Sequence, residues 1–332
     1  MKPRVLVALP LPDDLFAQVA AVCEPVVAPS GFFPARADVE ALTPGVEGVV
    51  TTVMARFDSA LLSQCAKLRV ISNCAVGLDN IDLESASRQR IAVCNAPGLQ
   101  DTAVAELTIA LILALARNLV ANDGFVRSGE WQQRKGSPLG SNIRGKTLGL
   151  IGMGGIGRAV ARVASALGMA TIYFKRTRDH AAEDEGIARF ADSRNALFAE
   201  ADFVSIHAPL TAETRDSIGA REFALMKPGA FLINTARGAI VNEAALVKAL
   251  TRRVIAGAGL DVLTEEPLPA TSPLCALPNV ILQPHAAGAT RETRRAMEEL
   301  AVANLLAVLG GTRPPVIVNP EALAGASGVP TV

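Results

Sequence analysis

Short runs of β-branched and aliphatic residues alternate with helix-patterned stretches over nearly all of this 332-residue chain, and that alternation restricts the fold more than any other feature. RVLVALP, GVVTTV, LRVISNC and IAVCNAP read as strands, with DSALLSQCAKL and DLESASRQR as helices between them. A second series follows: KTLGLIG, ATIYF, DFVSIH, AFLINTA, VIAGAGLDV and NVILQPH, again with helices interleaved. A strand that reaches its neighbour through a helical crossover pairs with it in parallel, so each series predicts a parallel sheet with helices on both faces. The fold class expected is therefore α/β, with two doubly wound parallel-sheet domains.

The break between the series lies in NAPGLQDTAVAE, where Pro97 and Gly98 interrupt the chain and Asp101 offers an N-cap for a long apolar helix to about Asn118. A helix apolar nearly all round must be covered on all sides, which points to packing against the other domain or another subunit. The last helical run, TRETRRAMEELAVANLLAVLG, follows the final strand and can return to the first domain. The expected organisation is residues 1–99, then an inserted domain over 100–287, then a return over 288–332, with a frayed tail after Pro320. Lys plus Arg equal Asp plus Glu, 32 each, so no global field draws the chain to nucleic acid or to an anionic membrane. The five cysteines (Cys23, Cys65, Cys74, Cys94 and Cys275) show no metal-ligand spacing, so no metal is expected and the thiols read as reduced and mostly buried. The start lacks a secretory pattern, and AVAELTIALILALARNL carries Glu106 and Arg117 and falls short of a membrane span, which makes a cytoplasmic location the expectation.

GKTLGLIGMGGIGRAVARVASALG contains Gly152-x-Gly154-x-x-Gly157 between an apolar strand and an alanine-rich helix. In that context the glycines permit a tight turn and close backbone approach, and a pyrophosphate can rest on the helix N-terminus. The acid that takes a ribose 2′-hydroxyl belongs about 20 residues further on. Between Arg158 and Arg178 there is no Asp or Glu; Lys175, Arg176, Thr177 and Arg178 stand there instead. Guanidinium and hydroxyl donors suit a 2′-phosphate dianion, which predicts NADP(H) with NAD as the weaker alternative; a solvated basic turn is the plainer reading. Three more segments close predicted strands of the same domain: LINTARGAIVNEAAL with Arg237, GAGLDVLTEEP with Asp261 and Glu266, and VILQPHAAGAT with His285. Ligands of open α/β sheets gather at strand carboxyl ends, so a cation, a carboxylate and an acid/base group are expected to converge there.

With these motifs, and with VGLDNIDL and HAPLTAETR, the chain resembles the D-isomer-specific 2-hydroxyacid dehydrogenase family from about Val5 to Asn319. SNCAVGLDNIDL and YFKRTR bring it nearest the NADP-preferring glyoxylate/hydroxypyruvate reductases of that family. The resemblance implies a Rossmann cofactor domain inserted in a flavodoxin-like substrate domain, a homodimer formed through the cofactor domain, and reduction of small 2-keto acids. Bulkier keto acids such as hydroxyphenylpyruvate or 2-ketogluconate, or a dinucleotide-sensing scaffold, are the alternatives. It further implies that Arg237 binds the keto acid, that His285 donates a proton to its carbonyl oxygen, and that Glu266 orients the imidazole and favours its charged form. Cofactor contacts fall by the same resemblance to Gly152, Gly154, Gly155, Ile156, Gly157, Lys175, Arg176, Thr177, His207, Pro209, Thr214, Thr235, Ala236, Asp261 and Gly288. Asp261 would meet the nicotinamide carboxamide, while His207 is equally a strand-end residue without a role. Backbone amides of Val76 and Gly77 would take the substrate carboxylate, and Met54 in TTVMARFD is a pocket candidate or a core residue, with Arg56 beside it a solvated charge or a second candidate. Trp131 matches a family tryptophan near the subunit interface and is given no catalytic role.

Overall fold

The structure is a computed structural model that describes residues 1–29 and 34–323, so most of the tail after Pro320 lies outside the described residues. The chain divides into two compact units, Met1–Leu99 with Arg291–Val332, and Gln100–Thr290.

The first unit holds five parallel strands: β1 (Arg4–Val7), β2 (Glu24–Val27), β3 (Gly48–Thr51), β4 (Val70–Asn73) and β5 (Ala92–Cys94), in the order β2-β1-β3-β4-β5. This is the flavodoxin-like order of a doubly wound sheet. The central strands are buried on both faces, which is why their sequences run continuously apolar and do not alternate. One face is closed by the helix Arg291–Leu309, whose Ala301, Val302 and Leu305 join Val5, Val50 and Val70 in a single core. Gly48 permits that approach, since a Cβ there would stand 2.8 Å from the Leu305 methyl. The return is fastened at its end by Asn319, which accepts from the Val93 amide at 2.7 Å and donates to the Ile91 carbonyl at 2.9 Å.

The second unit holds seven parallel strands: β6 (Thr147–Ile151), β7 (Ala170–Phe174), β8 (Arg189–Phe190), β9 (Phe203–Ile206), β10 (Phe231–Asn234), β11 (Gly257–Leu260) and β12 (Val280–Leu282). Their order, β12-β11-β10-β9-β6-β7-β8, is that of a dinucleotide-binding Rossmann sheet with one strand added, and it reverses direction between β6 and β9. Register aligns the strand ends in one row: Phe174 with Ile151, Ile151 with Ile206, Ile206 with Asn234, Asn234 with Leu260, and Leu260 with Leu282. Whatever follows these six residues in sequence emerges along one edge of the sheet.

The long apolar helix runs Asp101–Ala116, and one expectation about it needs correction. Its N-cap is Gln100, with Asp101 the first helical residue and no side-chain cap. Within its own unit, Leu111 and Leu115 lie over Gly259 of β11, and Thr108 is hydrogen-bonded to Thr235 at 3.1 Å. An exposed stripe remains at Thr102, Glu106 and Leu113. The helix ends where Asn118 adopts a left-handed conformation (φ 50°), and a second helix, Leu119–Arg127, departs at 59°. Among the described residues no single helix is long and apolar enough to cross a membrane; this bent pair meets that criterion by length and composition only. The second unit boundary follows Thr290, beyond the expected residue 287. Ala289 donates to the Ala286 carbonyl and Gly288 lies against the Gln100 side chain, which keeps this turn with the Rossmann sheet.

Candidate functional site

β6 ends at Ile151 and the chain turns at Gly152, whose φ of +101° and close approach to the His207 carbonyl (2.5 Å from an added Cβ) leave room for glycine alone. Gly154 is the N-cap of the helix Gly155–Ala166 and has no heavy atom within 4 Å of an added Cβ, so the turn is open on that side. At Gly157 a Cβ would meet the Gly152 carbonyl oxygen at 2.8 Å, so this glycine lets the helix close against the turn. The Gly155, Ile156 and Gly157 amides donate to no acceptor among the described residues. Three unpaired donors at the positive end of a helix dipole, beside an open turn, fit a dinucleotide pyrophosphate. Asp101, which motif reading passed over as a helix cap, presses its carboxylate against Gly155, and burial pushes that carboxyl above its usual range.

Beyond β7 the basic cluster is less free than its sequence suggests. Lys175 donates to the Met153 carbonyl at 3.1 Å and lies 3.6 Å from Asp179. Arg178 forms a forked pair with Glu183 and stacks over Phe190, and the Arg178 and Tyr173 hydrogen bonds hold Glu183 down at about 2. Arg176 and Thr177 remain exposed. Asp179, one residue past the cluster, is buried and meets Arg158 at 2.5 Å. Burial opposes its ionised form, but the Ala182 amide, Arg158 and Lys175 together hold its carboxyl below the usual value. The first carboxylate after the glycine loop is thus internally neutralised.

At the ends of β10, β11 and β12 the structure brings Arg237, Asp261, Glu266 and His285 onto the same sheet edge. Asn234 turns the chain after β10, its side chain accepting from the Ala236 amide at 3.0 Å and donating to the Arg237 carbonyl at 2.9 Å. Sequence reading missed this residue, although an Asn closing a strand is a turn signal in its own right. The Arg237 guanidinium donates to the Ala236 carbonyl at 2.7 Å. At Gly238 an added Cβ would collide with the Leu263 carbonyl group, so the glycine lets the loop carrying Glu266 lie across the loop carrying Arg237.

Glu266 accepts from the Leu263 amide through Oε1 (2.8 Å) and meets His285 Nδ1 through Oε2 (2.6 Å). Burial would push its carboxyl up, but the His285 hydrogen bond and charge, the Leu263 amide and the Arg237 charge hold it below the ordinary value. Glu265 is exposed. His285 adopts a left-handed backbone (φ 54°), uncommon outside glycine. That conformation is fixed by its amide on the Asp261 carbonyl (2.8 Å) and by the Asp261 carboxylate, which accepts from the Ala286 (2.7 Å) and Ala287 (3.0 Å) amides. The buried Asp261 carboxylate thereby clamps the His285 loop.

The remaining expected cofactor residues line the same edge. His207 follows β9, half-buried, with Nε2 2.9 Å from the Ser205 hydroxyl. Desolvation pushes its imidazole down to about 4, leaving it neutral near pH 7. Pro209 accepts from the Thr214 hydroxyl at 2.7 Å, which closes the loop between them. Thr235 is buried and Ala236 half-buried at the end of β10, and Gly288 is half-buried beside Gln100.

In the first unit, Met54 is half-buried in the turn after β3, its amide on the Thr52 hydroxyl at 3.3 Å, and Arg56 is exposed. Val76 and Gly77 are half-buried in the loop after β4. Their carbonyls accept from the side chains of Asn95 and Asn73, both at 2.9 Å, while their amides donate to nothing among the described residues.

Fold and site are those of an oxidoreductase that uses a nicotinamide dinucleotide. The chain belongs to the D-isomer specific 2-hydroxyacid dehydrogenase family, whose NAD binding domain model matches residues 109–287. It is 44% identical to a glyoxylate reductase of Thermococcus litoralis over 328 residues, 97% of this chain and 98% of that one. Among solved structures it is similar to a Thermus thermophilus protein (TM-score 0.86, 42% identity, 95% and 99% of the two chains). It is also similar to an NADPH-dependent glyoxylate/hydroxypyruvate reductase of Sinorhizobium meliloti solved with NADP and malonate (TM-score 0.85, 32% identity, 97% and 98%).

His207 carries a pH signature. The unfolded chain takes up its proton near the ordinary 6.5, the folded chain only near 4, so its contribution to stability is complete above pH 6.5 and is lost as pH falls toward 4. The loss is on the order of 3 kcal/mol. Urea unfolding at pH 7.5 and at pH 5 should show about 2 kcal/mol of this drop in the native chain and less in His207→Gln; an equal drop in both would rule His207 out as its source.

Proposed function

We propose that the protein reduces small 2-keto acids, glyoxylate and hydroxypyruvate foremost, to D-2-hydroxy acids with NADPH. The observation that carries this reading is the Glu266–His285 pair at 2.6 Å, anchored on one side by the Leu263 amide and on the other by the Asp261 clamp. With Nδ1 engaged by Glu266, His285 keeps Nε2 for the substrate, and it donates a proton from there to the carbonyl oxygen as that oxygen gains charge. Glu266, ionised at neutral pH, orients the ring and stabilises its charged form. Arg237 binds the keto acid through its fork of donors, and the Val76 and Gly77 amides take the carboxylate. When bound, the reduced nicotinamide supplies the hydride. The Gly155, Ile156 and Gly157 amides would hold its pyrophosphate.

Preference for NADPH rests on Arg176 and Thr177, exposed after β7, with Asp179 and Glu183, the carboxylates that follow them in sequence, already paired to cations. A 2′-phosphate at this strand end would meet a guanidinium and a hydroxyl. The relative from Sinorhizobium meliloti, solved with NADP, supports the reading. We further propose a homodimer through the 119–139 segment. Its helix Leu119–Arg127 has no buried residue, and Leu119, Val120, Val126, Trp131 (66% exposed) and Leu139 (94%) present apolar surface of the kind that partners cover. All five cysteines are free, in keeping with a reducing, cytoplasmic setting.

Initial rates with glyoxylate and hydroxypyruvate should show strong preference for NADPH over NADH. Arg176→Ala should raise the KM for NADPH roughly tenfold while sparing that for NADH, as expected for one charge-assisted phosphate contact. His285→Ala should lower kcat by about 10²–10⁴. Equal use of NADH by the native chain would reject the 2′-phosphate site, and full activity in His285→Ala would reject the acid assignment. Sedimentation should give a dimer for the native chain and a monomer for Val120→Glu combined with Trp131→Glu; an unchanged mass in the variant would remove the 119–139 surface from the interface.

A further inference from the structure

The loop after β4 offers its two amides in a way that can be traced peptide by peptide. In a planar trans peptide the C=O and the following N–H point in opposite directions, so fixing a carbonyl fixes the next amide. The Ala75 carbonyl accepts from the Ala96 amide at 2.8 Å, and the Val76 carbonyl accepts from the Asn95 side chain at 2.9 Å. Both acceptors thus face the two residues that follow β5. The N–H groups of Val76 and Gly77, opposite them in the same two peptides, are turned together toward the other side of the loop. Neither finds an acceptor among the described residues. Successive amides aimed one way form a concavity for an anion.

Of the two bonds that set this arrangement, one is backbone to backbone and any residue at position 96 other than proline can make it. The other depends on the Asn95 side chain. The rest of the loop is braced by two further asparagines. Asn73, 1% exposed, donates to the Gly77 carbonyl (2.9 Å) and to the Asn80 side chain (3.3 Å). Asn80 donates to the Thr52 (3.2 Å) and Ala55 (2.9 Å) carbonyls, which join the loop to the turn that carries Met54. An isolated loop of this kind would let the Val76–Gly77 peptide rotate, sending the Gly77 amide away from its neighbour. Among the described residues, the Asn95 amide group is the one side chain bonded to that peptide, and it opposes the rotation.

We propose that Asn95 is a positioning residue for the substrate carboxylate: by holding the Val76 carbonyl it aims the Gly77 amide, beside that of Val76, at the anion. This rests on the reading of the protein as a 2-keto acid reductase. Asn95 touches no reacting atom, so its loss weakens carboxylate binding and leaves the chemistry in place.

The test compares native protein, Asn95→Ala and Asn95→Asp with glyoxylate and with ethyl glyoxylate, an ester that lacks the carboxylate charge. Asn95→Asp keeps the size of the side chain and replaces its donor by an acceptor, so it remains informative if the alanine variant folds poorly. For glyoxylate the KM should rise roughly tenfold or more, with kcat within about twofold of native and the KM for NADPH unchanged, the pattern of lost uniform binding. For the ester, kcat/KM should not differ among the three proteins. An unchanged glyoxylate KM, or an equal loss with the ester, overturns the inference, the second because it marks a general collapse of the loop. Arg237→Lys is run in parallel. If it raises the glyoxylate KM while the Asn95 variants do not, the inference alone fails; if the native protein reduces no 2-keto acid, the reading beneath it fails too.

Discussion

The Glu266–His285 contact in the Rossmann unit depends on one buried carboxylate. Asp261, 1% exposed, closes β11, and its two oxygens take the Ala286 and Ala287 amides while its own carbonyl takes the His285 amide. Burying a charge is costly unless hydrogen bonds compensate, and here burial still leaves the Asp261 carboxyl above its usual range. The gain is geometric. Three bonds from one residue hold the chain after β12 in a left-handed turn that a histidine would otherwise avoid. Without that turn the imidazole would not meet Glu266, whose own loop is positioned independently through Leu263 and the close approach at Gly238. Two loops fixed by separate sets of bonds therefore converge on one 2.6 Å contact.

Glycine serves the same end on the cofactor side by a different route. At Gly152 and Gly157 what matters is the missing Cβ, since the His207 and Gly152 carbonyls occupy the space a side chain would need. The helix Gly155–Ala166 can then begin immediately beneath the strand ends, with its first amides unpaired. With glycine as its N-cap in place of a capping side chain, the helix forgoes roughly a few tenths of a kcal/mol of local stability. An anion that binds there recovers it, so the loop is built to be completed by a ligand.

The sheet was legible in the sequence because buried parallel strands carry continuous apolar runs, and every run predicted in the second series became a strand. The two strands that reading passed over are edge strands: β2 begins with Glu24 and Pro25 at the edge of the first sheet, and β8 is two residues long at the edge of the second. Candidate site residues were legible for a related reason. Parallel register places every strand terminus in one row, so a residue directly after an apolar run is already at the ligand edge. What could not be read was partnership. Asp179 lies just beyond a cluster that looks purely basic, yet it pairs with Arg158, 21 positions earlier, and Asn95 acts on a loop 19 positions before it. For the apolar helix Asp101–Ala116, composition reports that it is covered and leaves open by what; β10 and β11 of its own unit supply part of the cover.

The same limit governs the cofactor question. Four side chains, Lys175 to Arg178, suggest a dense positive site, but Lys175 is bound to the Met153 carbonyl and Asp179, and Arg178 to Glu183. Their charge is spent on neutralising carboxylates that would otherwise repel a phosphate, which differs from contacting one. Among the described residues, Arg176 and Thr177 are the exposed members of the cluster that no side-chain ion pair within it occupies. Arg176 lies near enough to Glu213 to help the Thr211 hydroxyl, the larger influence, hold that carboxyl down. A 2′-phosphate would therefore draw Arg176 away from Glu213, and selectivity becomes a difference between two anions competing for one guanidinium rather than a count of positive residues.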